Sequence, residues 1–334
     1  MALPIQFSEQ TEGICQVGPD CERRHFLARA LLWSSSALAA THGVGRAFGQ
    51  IVEPGLATMA SGQPSATARA AALIRAVHQI IDYPRVLDDP FALSILGRLR
   101  PGELQTAVDR QSPALRAAIV MRSRYAEDRL AAAVARGVRQ YVILGAGLDT
   151  FAYRNPHASL RVFEVDHRAT QRFKRERLDR ADIRVPARTT FVPVDFETQT
   201  LTHELEAHGF RFDEPAFFSL LGVVVYLTDA AVMETMRIVA SGAAGSEIVV
   251  SFSLPDYLLN ERQRRSRERS MANVAALGEP WITFYKPAAL ARALRGSGFS
   301  ATELFRPEDA NRTYFADRID GLRTSGGHMM SARV

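Results

Sequence analysis

The run Tyr141-Val142-Ile143-Leu144-Gly145-Ala146-Gly147-Leu148-Asp149-Thr150 constrains this chain more than any other stretch. Strand-forming residues lead straight into a Gly-x-Gly turn, and an Asp-Thr pair follows where a helix can start. A second apolar run, Leu160-Arg161-Val162-Phe163-Glu164-Val165, ends on Asp166. Strand, glycine turn, helix, strand and acid in that order describe a nucleotide-type ligand site at the carboxyl edge of a parallel sheet. Gly145 and Gly147 let backbone approach a ligand where a Cβ would clash. Asp166, about 20 residues past the turn, is placed to accept hydrogen bonds from ribose hydroxyls.

The third glycine of a dinucleotide fingerprint is missing. Asp149 and Thr150 stand where a pyrophosphate would meet bare helix N–H groups. A carboxylate there repels a diphosphate and favours a cationic or amine-bearing ligand. S-adenosylmethionine, with its ribose, sulfonium and amino-acid tail, is such a ligand. The alternative is an ordinary αβ turn in which Asp149 serves only as a helix N-cap.

The rest of the chain alternates in the manner of a doubly wound fold. Thr67 to Ile81 and Ala114 to Ala135 carry helical spacing, with Ser65 or Thr67 as a cap for the first and Gly137 as a stop for the second. Val86 to Ala92 reads as a turn into another helix. After Asp166 the pattern predicts a helix over Thr170–Asp179 and a strand over Thr190–Val194 ending on Asp195. Pro193 pushes that strand towards a sheet edge. A helix from Leu201 to His208 and a buried strand, Ala216 to Leu221, closed by Gly222, come next. Asp229 is read as the cap of a helix over Ala230–Ala240, before a strand at Glu247–Phe252. Asp256 to Ala276 is polar and helical, Pro287 opens a further helix, and final strands fall near Ala301–Phe305 and His328–Val334. Asp149, Asp166 and Asp195 thus line up along the carboxyl edge of neighbouring strands, where open α/β sheets bind ligands.

With 334 residues, 47% of them hydrophobic, the chain can bury one large α/β domain with added helices, or two small domains. A net charge of +5 does not by itself imply a nucleic-acid partner. The arginines at 262, 264, 265, 267 and 269 alternate with Glu261 and Glu268, as a solvated helix face does. Both cysteines, Cys15 and Cys21, precede the folded region, which excludes a disulfide framework and a cysteine nucleophile from its body. No histidine spacing suits a metal site.

Residues 1–60 read as an extension. Glu22-Arg23-Arg24-His25-Phe26-Leu27 ahead of Ala28–Ala40 is similar to a twin-arginine export signal, but the segment is too short and polar for stable membrane insertion. Met59 is an alternative start. A cytoplasmic location is expected because S-adenosylmethionine is made there, with export as the alternative. Residues 61–334 form the expected catalytic domain, divided into a helical cap (61–137) and a Rossmann-like core (138–334).

The runs Leu144–Thr150, Val162-Phe163-Glu164-Val165-Asp166 and Val192-Pro193-Val194-Asp195-Phe196 resemble the leucine carboxyl methyltransferase-like family, in particular its bacterial S-adenosylmethionine-dependent branch. Arg122-Ser123-Arg124-Tyr125, Gly278-Glu279-Pro280-Trp281, Tyr314-Phe315-Ala316 and Asp320-Gly321-Leu322-Arg323 agree, so the likeness covers about Ser65 to Val334. It implies a class I methyltransferase fold: a seven-stranded, mostly parallel sheet with helices on both faces and an N-terminal helical cap. By position it implies that Arg122 pairs with the cofactor carboxylate, that Gly145 and Gly147 form the turn beneath the cofactor, that Asp166 holds the ribose, and that Asp195 and Phe196 flank the adenine.

Two positions depart from the family. Leu221 stands where an acid often opens the motif before Tyr226-Leu227, and Phe151 stands where arginine is favoured after Asp-Thr.

The expected activity is methyl transfer to the oxygen of a small-molecule carboxylate, which is ionised at neutral pH and needs no general base. Tyr226 and Tyr153 are the candidates for lining the transfer region, each with a core-aromatic role as the alternative. A non-catalytic cofactor-binding protein and a nicotinamide-dependent oxidoreductase are the competing readings.

Overall fold

The computed structural model describes residues 64–110, 112–195 and 199–334. The extension over residues 1–60 with its arginine pair, both cysteines and Phe196 lie outside the described residues.

Helix α1 (Ala66–Ile81) opens on Ser65, whose hydroxyl accepts from Ala68 N at 3.1 Å. Leu73, Ile74, Ala76 and Val77 recur on its buried side. In place of the helix expected after Val86, the chain makes turns and one 3-10 turn, Ser94–Leu96. Helix α2 (Glu103–Arg110) was not legible in the sequence, because Pro101-Gly102 reads as a break. Its start is fixed by Glu103, which accepts from Arg100 N at 2.9 Å. Helix α3 (Pro113–Ala135) follows, and Gly137 ends it at φ 105°.

The core then alternates: β1 (Gln140–Leu144), α4 (Phe151–Arg154), β2 (Arg161–Asp166), α5 (Arg168–Arg180), β3 (Thr189–Pro193), α6 (Leu201–Ala207), β4 (Ala216–Leu220), α7 (Asp229–Ala240) and β5 (Glu247–Phe252). Helices α8 (Glu261–Ala276) and α9 (Pro287–Gly296), strand β6 (Ala301–Phe305), helix α10 (Pro307–Thr313) and strand β7 (His328–Arg333) complete it. Helix α4 stays short because Asn155 precedes Pro156, which disfavours helical geometry. The cap of α7 is Thr228, not Asp229. Thr228 Oγ1 accepts from Ala231 N at 3.3 Å, and Asp229 instead takes the Tyr285 hydroxyl at 2.5 Å.

The sheet has seven strands in the order β3-β2-β1-β4-β5-β7-β6. Strands β1 to β5 run parallel, whereas β7 is antiparallel to both β5 and β6. Strand β3, the one holding Pro193, is an edge strand, where its missing N–H costs no ladder bond.

Period-two alternation sends side chains to opposite faces of the sheet. Tyr141, Ile143, Phe217 and Val249 join α1 and α3 on one side. Val142, Leu144, Phe218, Ile248 and Val250 join α6, α7 and α9 on the other. Each such buried side chain contributes about 1.5–3 kcal/mol, so both faces must stay covered. Strand order reverses between β1 and β4, and open α/β sheets place their ligand crevice at such a switch point. Among the described residues no helix is long and apolar enough to cross a membrane.

Candidate functional site

The turn after β1 forms the floor of this crevice. Gly145 has φ 71°, and a Cβ there would collide with Val223. Gly147 has φ 48°, and a Cβ there would lie 3.0 Å from Ala68 Cβ on α1. Asp166, at the end of β2, reaches back to this turn. Its Oδ2 accepts from Gly147 N at 2.6 Å and its Oδ1 from His167 N at 2.7 Å. Burial pushes the Asp166 carboxyl up, with the two backbone N–H groups opposing that shift.

Asp149 lies next on the loop. Its Oδ1 accepts from Phe151 N at 2.7 Å, so it closes an Asx turn, while Thr150 holds the N-cap position without a side-chain cap bond. Burial works against its charge. Arg75, Lys174, Arg154 and the Phe151 N–H outweigh burial and hold the carboxyl below its ordinary value.

Arg122 projects from α3 onto the chain reversal after β4. Gly222 has φ 71°, and any Cβ there would strike the Arg122 guanidinium. Among the described residues Arg122 forms no hydrogen bond or ion pair. Burial and the charge of Arg75 push it down to about 10, while Tyr226 and Asp149 pull the other way. Tyr226 ends a 3-10 turn, Val224–Tyr226, just past Gly222. Burial raises its phenol, and Trp281, Thr67 and Arg122 oppose that shift.

Trp281 is brought there because Ile282 N donates to Val225 O at 2.7 Å and the Thr283 hydroxyl donates to Leu227 O at 2.5 Å. The same segment supplies Glu279, a residue whose role sequence reasoning missed. Its Oε1 accepts from Ala66 N at 2.8 Å, its Oε2 accepts from the Ser65 hydroxyl at 3.1 Å, and it also accepts from the Thr67 hydroxyl. Ser65 N donates to Thr170 Oγ1 at 3.2 Å on α5. The first turn of α1 is thus strapped between α5 and Glu279, beside Gly147. Glu279→Ala is expected to lower stability by about 2 kcal/mol through these charge-assisted bonds, read as a fall in Tm by calorimetry. An unchanged Tm would show that the strap contributes nothing.

The remaining candidates separate. Asp195 is half-buried, and its backbone exchanges bonds with Gln199, whose N donates to Asp195 O at 2.9 Å. Tyr153 turns into the protein: its hydroxyl donates to Glu164 Oε2 at 3.0 Å, and Lys174 Nζ lies 5.4 Å from its ring centre. Its hydroxyl is thus committed to Glu164, the geometry of the core-aromatic alternative. Phe151 is buried edge-on against Tyr141, with ring centres 5.2 Å apart. Leu221 is half-buried against the same apolar layer.

A His–Asp pair stands at the C-terminal end of α1. His78 Nδ1 is 2.8 Å from Asp82 Oδ2, and Arg116 grips the same carboxylate at 2.6 and 2.9 Å. His78 Nε2 accepts from Val86 N and Leu87 N at 3.1 and 3.3 Å, so it is spent on backbone and cannot serve as a base. Among the described residues no group of three or more His, Cys, Asp or Glu is arranged to hold a metal.

Residues 68–240 match the sequence model of the family described as leucine carboxyl methyltransferase. The chain belongs to that family. It is 37% identical over 208 residues to YktD of Bacillus subtilis (strain 168), covering 60% of this chain and 67% of that protein. It is 32% identical over 229 residues to FRAAL3718 of Frankia alni (strain DSM 45986 / CECT 9034 / ACN14a), covering 65% and 76% respectively. Both are provisionally named S-adenosyl-L-methionine-dependent methyltransferases. A crystal structure from Thermobifida fusca YX, provisionally titled a methyltransferase, superposes with a TM-score of 0.51 at 20% identity over 84% of this chain and 97% of that one, and supports the fold. Leucine carboxyl methyltransferase family membership makes this chain an S-adenosylmethionine-dependent methyltransferase and sets aside the nicotinamide reading.

Proposed function

We propose that this chain methylates an oxygen of a small-molecule carboxylate. The observation that carries this reading is Tyr226, a phenol close to the Arg122 guanidinium, which has no hydrogen-bond or ion-pair partner among the described residues. A phenol kept protonated at neutral pH donates hydrogen bonds and does not remove protons. An acceptor oxygen that is already ionised suits such a site.

The residues present fit the cofactor that the family uses. The glycine turn is tied to Asp166 at the end of β2, and Arg122 has no anion partner among the described residues. In this reading Arg122 holds the amino-acid carboxylate, Asp149 receives the amino group, Asp166 holds the ribose, and Asp195 with Phe196 flanks the adenine. When bound, S-adenosylmethionine supplies a methyl group on a sulfonium that leaves as a neutral thioether. The protein then contributes orientation and charge complementarity, which suffice for an in-line displacement. Tyr226 orients the acceptor. Helices within 61–137 cap the core at 138–334, the acceptor is a free small molecule with no nucleic acid involved, and the reaction belongs in the cytoplasm, where the cofactor is made.

Label transfer from methyl-labelled cofactor to panels of carboxylic acids and phenols tests this directly. Expected is a product that releases labelled methanol in alkali, the mark of a methyl ester. Alkali-stable label on phenols would overturn it. Leu221, an apolar residue where relatives often carry an acid, favours a second reading, cofactor binding without transfer, which gives saturable binding and no labelled product.

A further inference from the structure

We propose that Arg75 is a positioning residue for the amino-acid end of the cofactor site, acting through Asp149 without touching the ligand. This rests on the cofactor reading above. Arg75 lies on α1 and is 5% exposed. Its Nη2 donates to Leu148 O at 2.5 Å, which fixes the peptide that carries Asp149. Its Nε donates to Asp89 Oδ2 at 3.3 Å.

Asp89 does not absorb that charge alone. Its Oδ1 lies 3.7 Å from Arg154 Nε and also accepts from Phe91 N at 3.2 Å. Arg154 in turn grips Glu127 at 2.9 and 2.5 Å. Buried and half-buried cations and anions therefore alternate behind the loop, and Arg75 is the member that bonds the peptide before Asp149. Its field favours the ionised form of Asp149.

Asp149 shows what this support is for. One carboxylate oxygen is pinned to Phe151 N, whereas Oδ2 makes no hydrogen bond with any described residue. A half-buried carboxylate with one fixed and one open oxygen is set to receive a donor from outside the protein, and an ammonium group fits its charge. Arg75 keeps both the peptide and the charge in register for that contact. The adenosine half of the crevice hangs instead on Asp166, which holds the glycine turn through Gly147 N.

This separation gives the test. S-adenosylhomocysteine carries the amino-acid tail, and 5′-methylthioadenosine lacks it. Calorimetric titration of both ligands into wild type, Arg75→Met and Arg75→Lys is the experiment. Arg75→Met is expected to weaken S-adenosylhomocysteine about 30-fold, as loss of a buried charged partner does, and to leave methylthioadenosine within about threefold. Arg75→Lys, which keeps the charge, recovers part of the loss. Equal weakening of both ligands would reduce Arg75 to a packing residue and overturn the inference, as would unaltered S-adenosylhomocysteine affinity. If wild type binds neither ligand, the cofactor reading itself fails, and the inference fails with it.

Discussion

Asp166→Ala is expected to weaken S-adenosylhomocysteine binding by at least about 100-fold, near 3 kcal/mol. The Asp166 carboxylate has two tasks at once. It accepts from Gly147 N and His167 N, and so ties the glycine turn to the end of β2. It is also the acid assigned to the ribose. Alanine removes the ribose acceptor and leaves two N–H groups without their partner, at about 1–3 kcal/mol for each that stays buried. Asp166→Asn separates the tasks in part. Its single carbonyl oxygen can serve one N–H, but its amide places a donor against the other, so an intermediate loss is expected. Calorimetry reads both variants, with circular dichroism to check the fold. A folded Asp166→Ala protein that binds with wild-type affinity would remove Asp166 from the site.

Arg122→Met is expected to cost about 100-fold in affinity for the same ligand, while Arg122→Lys keeps the charge, loses the two-pronged grip and falls between. In the free protein the Arg122 cation is held at a cost, since burial and Arg75 push it down to about 10. That cost is present whenever the group is charged, which is at all pH values below about 10. An incoming carboxylate offsets it. Its contribution to binding should therefore be constant across neutral pH and be lost as pH rises through about 10, the side on which the guanidinium loses its proton. The amino group of the ligand titrates in the alkaline range as well. The diagnostic result is that Arg122→Met keeps the amine limb of the profile and lacks the guanidinium limb. Identical profiles in the two proteins would place the ligand carboxylate elsewhere.

Much of the fold was legible because its signals are local. The β1-turn-β2 unit announces itself through an apolar run, two glycines and a spaced acid, and Pro193 marks β3 as an edge. What failed locally had competing signals. Thr228 and Asp229 are both good caps, and only the observed bond to Ala231 N decides between them. Helix α2 was hidden by the break at Pro101-Gly102, which precedes it without preventing it.

The site divides in the same way. Gly145, Gly147, Asp149 and Asp166 belong to one crossover, so their spacing predicts their meeting. Arg122 looks like any helix arginine until Gly222 is seen beneath its guanidinium, and only the family resemblance pointed to it in sequence. Glu279 and Ala66 are 213 positions apart, and Arg75 and Leu148 are 73 apart. No periodicity encodes such pairings, because tertiary packing alone brings them together. Tyr153 shows the reverse case. It sits next to the motif in sequence, yet the short α4 turns its hydroxyl towards Glu164.

Calorimetric titration of S-adenosylhomocysteine into the wild-type protein tests the central claim most directly. One saturable site per chain is expected, with binding that depends on Asp166 and Arg122. A folded protein that gives no heat and no saturation would contradict the assignment of this crevice as the cofactor site.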